Sequence, residues 1–148
     1  MNYKFYDTCS LLLKASHLFD DENEKIVISS ITLQELEDIK TSSHKDADIK
    51  YSARKLLKVL NDNISKIDIH IFKESMLKPF YEKDLSINND IKILACAFDY
   101  DNTQHPDETV FVTNDLSLKT IANLFFGSDS IESVDEDALD DYCGYKEI

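Results

Sequence analysis

Along this 148-residue chain, short apolar or β-branched runs alternate with longer stretches in which apolar residues return every three or four positions. The first pattern suits strands and the second suits helices. Tyr3 to Asp7 reads as a first strand, and Asp7-Thr8-Cys9-Ser10 then turns the chain. Ser10 is placed to cap a helix running to about His17. Lys25 to Ser29 (KIVIS) reads as a second strand, followed by a helix from Ile31 to about Lys40, capped by Ser29 or Ser30, with Ile31, Leu36 and Ile39 as its stripe. Thr41 to Asp46 is a polar loop. The next helix runs from about Ala47 to Asn61, with Ala53, Leu56, Leu57 and Leu60 at helical spacing.

In the second half, Ile67 to Phe72 (IDIHIF) alternates as a third strand, and Lys73 to Ile87, which holds Pro79, reads as a loop with at most a short turn. Asn88 or Asn89 caps a helix to about Tyr100 with the stripe Ile91, Leu94, Ala95 and Phe98. Thr109 to Thr113 (TVFVT) is a buried fourth strand, Asp115 starts a helix to about Phe125, and Ser130 to Val134 reads as a last edge strand before an acidic, weakly specified tail. Alternation of this kind predicts one α/β domain over residues 1–148, with a parallel sheet flanked by helices. Ligands of such sheets bind beyond the carboxyl ends of the strands.

Composition narrows the choices. The two glycines leave no Gly-rich phosphate loop, so neither the P-loop nor the dinucleotide fingerprint is present. Sixteen Lys plus Arg against twenty-nine Asp plus Glu give a net charge of -13, which opposes general binding of a phosphate backbone unless metal ions reverse the sign locally. Three cysteines without paired spacing read as reduced thiols of a cytoplasmic protein. No signal peptide and no apolar run of membrane-spanning length is expected, and no His/Cys cluster supports zinc.

Four acids occupy privileged places on this map. Asp7 closes the first strand, Asp115 follows the fourth, Asp90 lies in the first turn of a helix, and Glu35 lies about one turn into another. In a parallel sheet these positions share one edge, so the four carboxylates are expected to converge. Unscreened carboxylates repel one another, and a hard cation, Mg²⁺ or Mn²⁺, resolves the conflict. Such an ion activates water and stabilises the leaving oxygen of a phosphodiester. Taken singly, each acid also has a plain reading as a turn, capping or solvated helix residue. Their joint placement is what points to chemistry. A phosphohydrolase with an aspartyl nucleophile at Asp7 fits less well, because the expected second acid two residues on is Cys9.

The motifs FYDTCSLL (Phe5 to Leu12), VISSITLQELEDIK (Val27 to Lys40), NNDIKILACA (Asn88 to Ala97) and VFVTNDLSLK (Val110 to Lys119) resemble the PIN domain, most closely the PIN module at the front of PhoH-like proteins. ARKLL at Ala53 to Leu57 fits the same subgroup. The resemblance implies a Rossmann-like three-layer sandwich with a central parallel sheet of four to five strands. It also implies a metal-dependent endoribonuclease whose acidic quartet falls on Asp7, Glu35, Asp90 and Asp115. Thr113, or Asn114 beside it, resembles the polar companion that helps hold metal or water. Where some members carry a further acid this chain has Ser117, which puts a second metal in doubt.

PhoH-like proteins continue into an ATPase domain, whereas toxin-type members act with an antitoxin and many members pair as homodimers; each is an expectation about partners here. Leu124-Phe125-Phe126 is either a dimer contact or a buried helix end. Lys50, Arg54 and Lys58 share a helix face and are candidate RNA contacts, or else a solvated amphipathic face. The alternative function is a catalytically weak binding or regulatory module with the acids intact.

Overall fold

The computed structural model describes residues 2–135. Five strands, β1 (Asn2–Tyr6), β2 (Glu24–Ser29), β3 (Ile67–His70), β4 (Thr109–Val112) and β5 (Ile131–Glu132), form one sheet in the order β3-β2-β1-β4-β5. Every neighbouring pair is parallel. Helices α1 (Thr8–Lys14), α2 (Ser30–Thr41), α3 (Ala47–Asp62), α4 (Lys78–Glu82), α5 (Asn89–Thr103) and α6 (Leu116–Ala122) make the connections. The chain builds outward from β1 to β3 on one side, then crosses to β4 and β5 on the other. The order therefore reverses between β1 and β4, and a crevice opens there beyond the strand ends.

Strand alternation feeds two cores, one on each face of the sheet. Phe5 lies level with Val27 on β2 and Phe111 on β4, and all three pack with Ile93, Leu94 and Phe126. On the opposite face Tyr6, Ile26, Ile28 and Val112 pack with Leu11 of α1, Leu36 of α2 and Leu56 and Leu60 of α3. This is the expected three-layer arrangement with a central parallel sheet. Tyr6 is only 3% exposed and belongs to this second core.

Several boundaries differ from the sequence reading, each for a local reason. The first helix is capped by Asp7 and not by Ser10: extended at φ -78°, ψ 171°, Asp7 accepts the Ser10 N–H, while Ser10 is itself fully buried. That helix ends at Lys14, where Ala15 turns through a positive φ of 33° into a 3-10 turn over Ala15–His17. β3 stops at His70 because the Phe72 N–H donates to Ser30 Oγ (2.9 Å) instead of continuing the ladder. The stretch expected to be a loop holds a 3-10 turn (Glu74–Leu77) and α4, whose fully buried Leu77 and Phe80 plug the core. Pro79 sits in the first turn of α4, where its missing N–H leaves no bond unmade.

After α6 ends at Ala122, the aromatic pair folds back: Phe125 stacks on Phe80 at 4.0 Å between ring centres, and Phe126 lies against Phe98 and Phe111. The buried-end reading of this segment therefore holds for Phe125 and Phe126, and Leu124 alone is well exposed. β5 is shorter than expected at Ile131–Glu132, and the acidic tail, 136–148 with Cys143, lies outside the described residues. Among the described residues no helix is long and apolar enough to cross a membrane.

One buried cation ties the sheet together. Lys4, on the central strand, is 8% exposed and pairs with Glu132 of β5 and, at 3.8 Å, with Glu24 of β2. Removing one partner of such a cluster leaves charges desolvated and unpaired. Lys4→Met is expected to lower stability by about 2 kcal/mol, less than a fully buried pair because Glu132 is half exposed, and urea unfolding midpoints measure it.

Candidate functional site

The carboxyl ends of β1 and β4 lie side by side at the crevice, and each delivers an aspartate. Asp7 follows β1 and is 4% exposed. Its two carboxylate oxygens are both engaged: one accepts the Ser10 N–H (2.9 Å), as the cap of α1, and the other accepts the Thr113 hydroxyl (2.6 Å). Asp115 follows β4 and caps α6 by accepting the Leu118 N–H (3.1 Å). Thr113 is fully buried between them, because its Oγ also accepts the Asp115 N–H at 3.1 Å. One hydroxyl thus joins the two strand ends.

Asp90 enters from a third direction, in the first turn of α5, whose cap is Asn88. Its side chain meets solvent at the mouth of the crevice, yet the surrounding protein strips part of its hydration. That desolvation, followed by the charge of Asp115, raises its pKa above the usual carboxylate value. Burial raises the pKa of Asp7 from 3.8 to about 6, against the hydrogen bonds from Thr113 and Ser10 that favour the anion, and Asp90 adds a repulsive push. The three aspartates are therefore electrostatically coupled through Asp90. Among the described residues no lysine or arginine forms an ion pair with any of them.

Glu35 comes from α2 and accepts a hydrogen bond from Thr8 Oγ1 at 2.6 Å. Thr8 is the residue after Asp7, so the glutamate is tied to the same helix start. Thr8 and its partner Thr32 were not singled out by the sequence reading. Their only signals are adjacency to Asp7 and a place three residues before Glu35, on the same face of α2. Asn114, offered as an alternative to Thr113, points elsewhere: its side chain donates to Val134 O (2.9 Å) and accepts the Val134 N–H (2.7 Å), clamping the segment after β5. Thr113 is the residue that touches an acid.

Among the described residues no three His, Cys, Asp or Glu side chains stand close enough to hold an ion directly. The donor set nonetheless fits a hard cation. It is all oxygen, and two of its carboxyls, Asp7 and Asp90, have pKa values raised by burial and by a neighbouring carboxylate. Mg²⁺ retains several waters and dehydrates reluctantly, so a site completed partly through water suits it.

Residues 5–125 match the sequence profile of the PIN domain. The chain belongs to the PIN domain family. The matched segment contains Asp7, Glu35, Asp90 and Asp115 and ends before β5. Among solved structures, VapBC2 from Rickettsia felis bound to a DNA fragment from their promoter is similar at 22% identity, with 90% of this chain and 99% of that chain covered and a TM-score of 0.55. A domain of a functionally unknown protein from Methanocaldococcus jannaschii is similar at 18% identity, with 90% of each chain covered and a TM-score of 0.59. VapBC-5 from Mycobacterium tuberculosis, a member of the VapBC family of toxin-antitoxin systems, is similar at 15% identity, with 90% of this chain and 98% of that chain covered and a TM-score of 0.56. At these identities the likeness shows the fold alone. A search of curated proteins finds no match.

Proposed function

We propose that this PIN domain is an endoribonuclease dependent on Mg²⁺ or Mn²⁺. The observation that carries the reading is the set of coupled, uncompensated aspartates, Asp7, Asp90 and Asp115, at the sheet edge where the strand order reverses. These three would hold the ion, directly or through water. The ion, when bound, would supply a more acidic water and charge neutralisation at the phosphodiester. Thr113 keeps Asp7 and Asp115 in register, burial leaves Asp7 needing a cation, and Glu35 is held where it would orient or deprotonate the attacking water.

RNA must reach an acidic protein, and α3 offers the means. Lys50, Arg54 and Lys58 run along it, with Tyr51, 59% exposed, beside them as a surface on which a base can stack. Lys58 is partly committed to Asp62 at 3.0 Å, so Lys50 and Arg54 are the stronger phosphate contacts.

Kinship with PhoH-like proteins rests on the four motifs, and on that reading an ATPase domain is a partner in a longer protein. The two VapBC neighbours support a different partner, an antitoxin-type protein. Homodimerisation would use exposed Leu124. We assign the protein to the cytoplasm on the absence of paired cysteine spacing in the sequence.

The test is cleavage of an unstructured, end-labelled RNA by the full chain. Internal cuts are expected with Mn²⁺ or Mg²⁺, and excess EDTA should suppress them at least a hundredfold, with Asp115→Asn as the protein control. Cleavage that persists in EDTA at the same rate would refute metal dependence. The second reading, a binding module without turnover, draws on Ser117 standing where a further acid is found in some members and on the absence of a ready ion cage among the described residues. Calorimetric Mn²⁺ binding without any RNA cleavage would favour it.

A further inference from the structure

Behind the aspartates lies a relay of buried hydroxyls. Thr8 is 3% exposed and Thr32 is fully buried. Thr8 Oγ1 lies 2.6 Å from Glu35 Oε1 and 3.1 Å from Thr32 Oγ1. A hydroxyl has one hydrogen to give. The shorter contact and the charged acceptor take the Thr8 hydrogen, so Thr32 donates to Thr8 and Thr8 donates to Glu35. The order of donation is Thr32, Thr8, Glu35, the first link crossing from α2 to α1 and the second returning to α2.

We infer that Thr8 is a positioning residue whose hydroxyl fixes the Glu35 carboxylate beside Asp7. Thr8 is the first residue of α1 and Asp7 is its cap, so their relative position is set by one turn of hydrogen-bonded backbone. Glu35 is half-buried on a helix, and its long side chain has several rotamers to choose from. The Thr8 hydroxyl selects among them, and Thr32, three residues before Glu35 on the same face of α2, orients that hydroxyl. A valine at position 8 keeps the shape and removes the donor. Glu35 would then lose the Thr8 hydrogen bond without loss of any acid. The inference rests on the proposal that Glu35 acts on the attacking water.

Four proteins test it: Thr8→Val, Thr8→Ser, Glu35→Gln and the double variant Thr8→Val/Glu35→Gln. In RNA cleavage with saturating Mn²⁺, Thr8→Val is expected to lower kcat at least tenfold with KM changed less than twofold, and Thr8→Ser to recover activity to within about threefold. Thr8→Val should cost nothing further in the Glu35→Gln background. A second readout needs no metal and no substrate: in EDTA, the melting-temperature shift of the double variant should be smaller than the sum of the two single shifts. Full kcat in Thr8→Val, where Glu35→Gln is impaired, overturns the positioning role alone. So does an equal loss in both backgrounds, or additive melting shifts. A wild type that cleaves no RNA, or a fully active Glu35→Gln, overturns the reading of the site, and the positioning role falls with it.

Discussion

Changing Asp7 to Asn is expected to abolish RNA cleavage while raising the melting temperature of the metal-free protein at neutral pH. Asp7 is almost fully buried, and its folded-state pKa stands at about 6 against an ordinary value of 3.8. A carboxyl whose pKa is raised on folding binds its proton more tightly in the native state. Its favourable contribution is complete below the unfolded pKa, near 4, and is lost as pH rises towards 6. Above that, the anion is a net cost of up to about 3 kcal/mol.

Asparagine removes the charge and keeps an oxygen for the Ser10 N–H, since Asn and Asp cap helices about equally well. It makes a poorer partner for the Thr113 hydroxyl, so a gain of roughly 2 kcal/mol, a few degrees, is the expected net. Thermal unfolding in EDTA at pH 4 and pH 7.5 checks this, with the advantage present at the higher pH and absent at the lower. An Asn variant that is less stable than the parent at pH 7.5 would show that the buried charge is not the dominant cost.

Thr113→Val should lower cleavage by about a hundredfold without abolishing it, but with the opposite effect on stability. The hydroxyl is fully buried, donates to the Asp7 carboxylate and accepts the Asp115 N–H. Valine fills the same volume and serves neither group. An orphaned, partly charged acceptor and an orphaned donor together cost about 3 kcal/mol. Because the Thr113 hydrogen bond holds the Asp7 pKa down, its removal should raise that pKa further. Any residual activity should therefore show its acidic limb displaced to higher pH. Stability is read from urea unfolding and activity from cleavage rates across pH 5 to 8, and an unshifted limb with unchanged unfolding would contradict this role for Thr113. Cleavage falls in both variants, but only the second unfolds more easily, so the pair separates chemistry from folding.

The α/β architecture and the alternation of strands and helices along the chain were legible because alternating and three-to-four periodicities are strong over KIVIS, TVFVT and the α3 stripe. What stayed hidden was set by tertiary contacts. Nothing in Lys73 to Ile87 is periodic over enough residues to announce the 3-10 turn or α4, which form because the core receives Leu77 of the one and Phe80 of the other. Ser10 carries the right side chain for a cap but lies too far along the turn; the cap went to the residue still in extended conformation, Asp7. For the site, acids at strand ends and first turns were visible as positions. Which of Thr113 and Asn114 faces Asp7 was not, since it depends on where Val134 passes. The Thr8 and Thr32 hydroxyls were invisible for the same reason, being two unremarked threonines until α1 and α2 come together.

An all-parallel sheet divides its two edges unequally. Every strand-to-helix junction that carries an acid opens at one edge, while the returning connections, such as 104–108 with His105 stacked on Tyr3 at 3.5 Å, gather at the other. A lengthened return loop adds little closure entropy and shifts none of the carboxylates. The return edge is therefore free to diverge in sequence and length, or to accept an inserted tag or reporter, while the acid-bearing edge stays fixed.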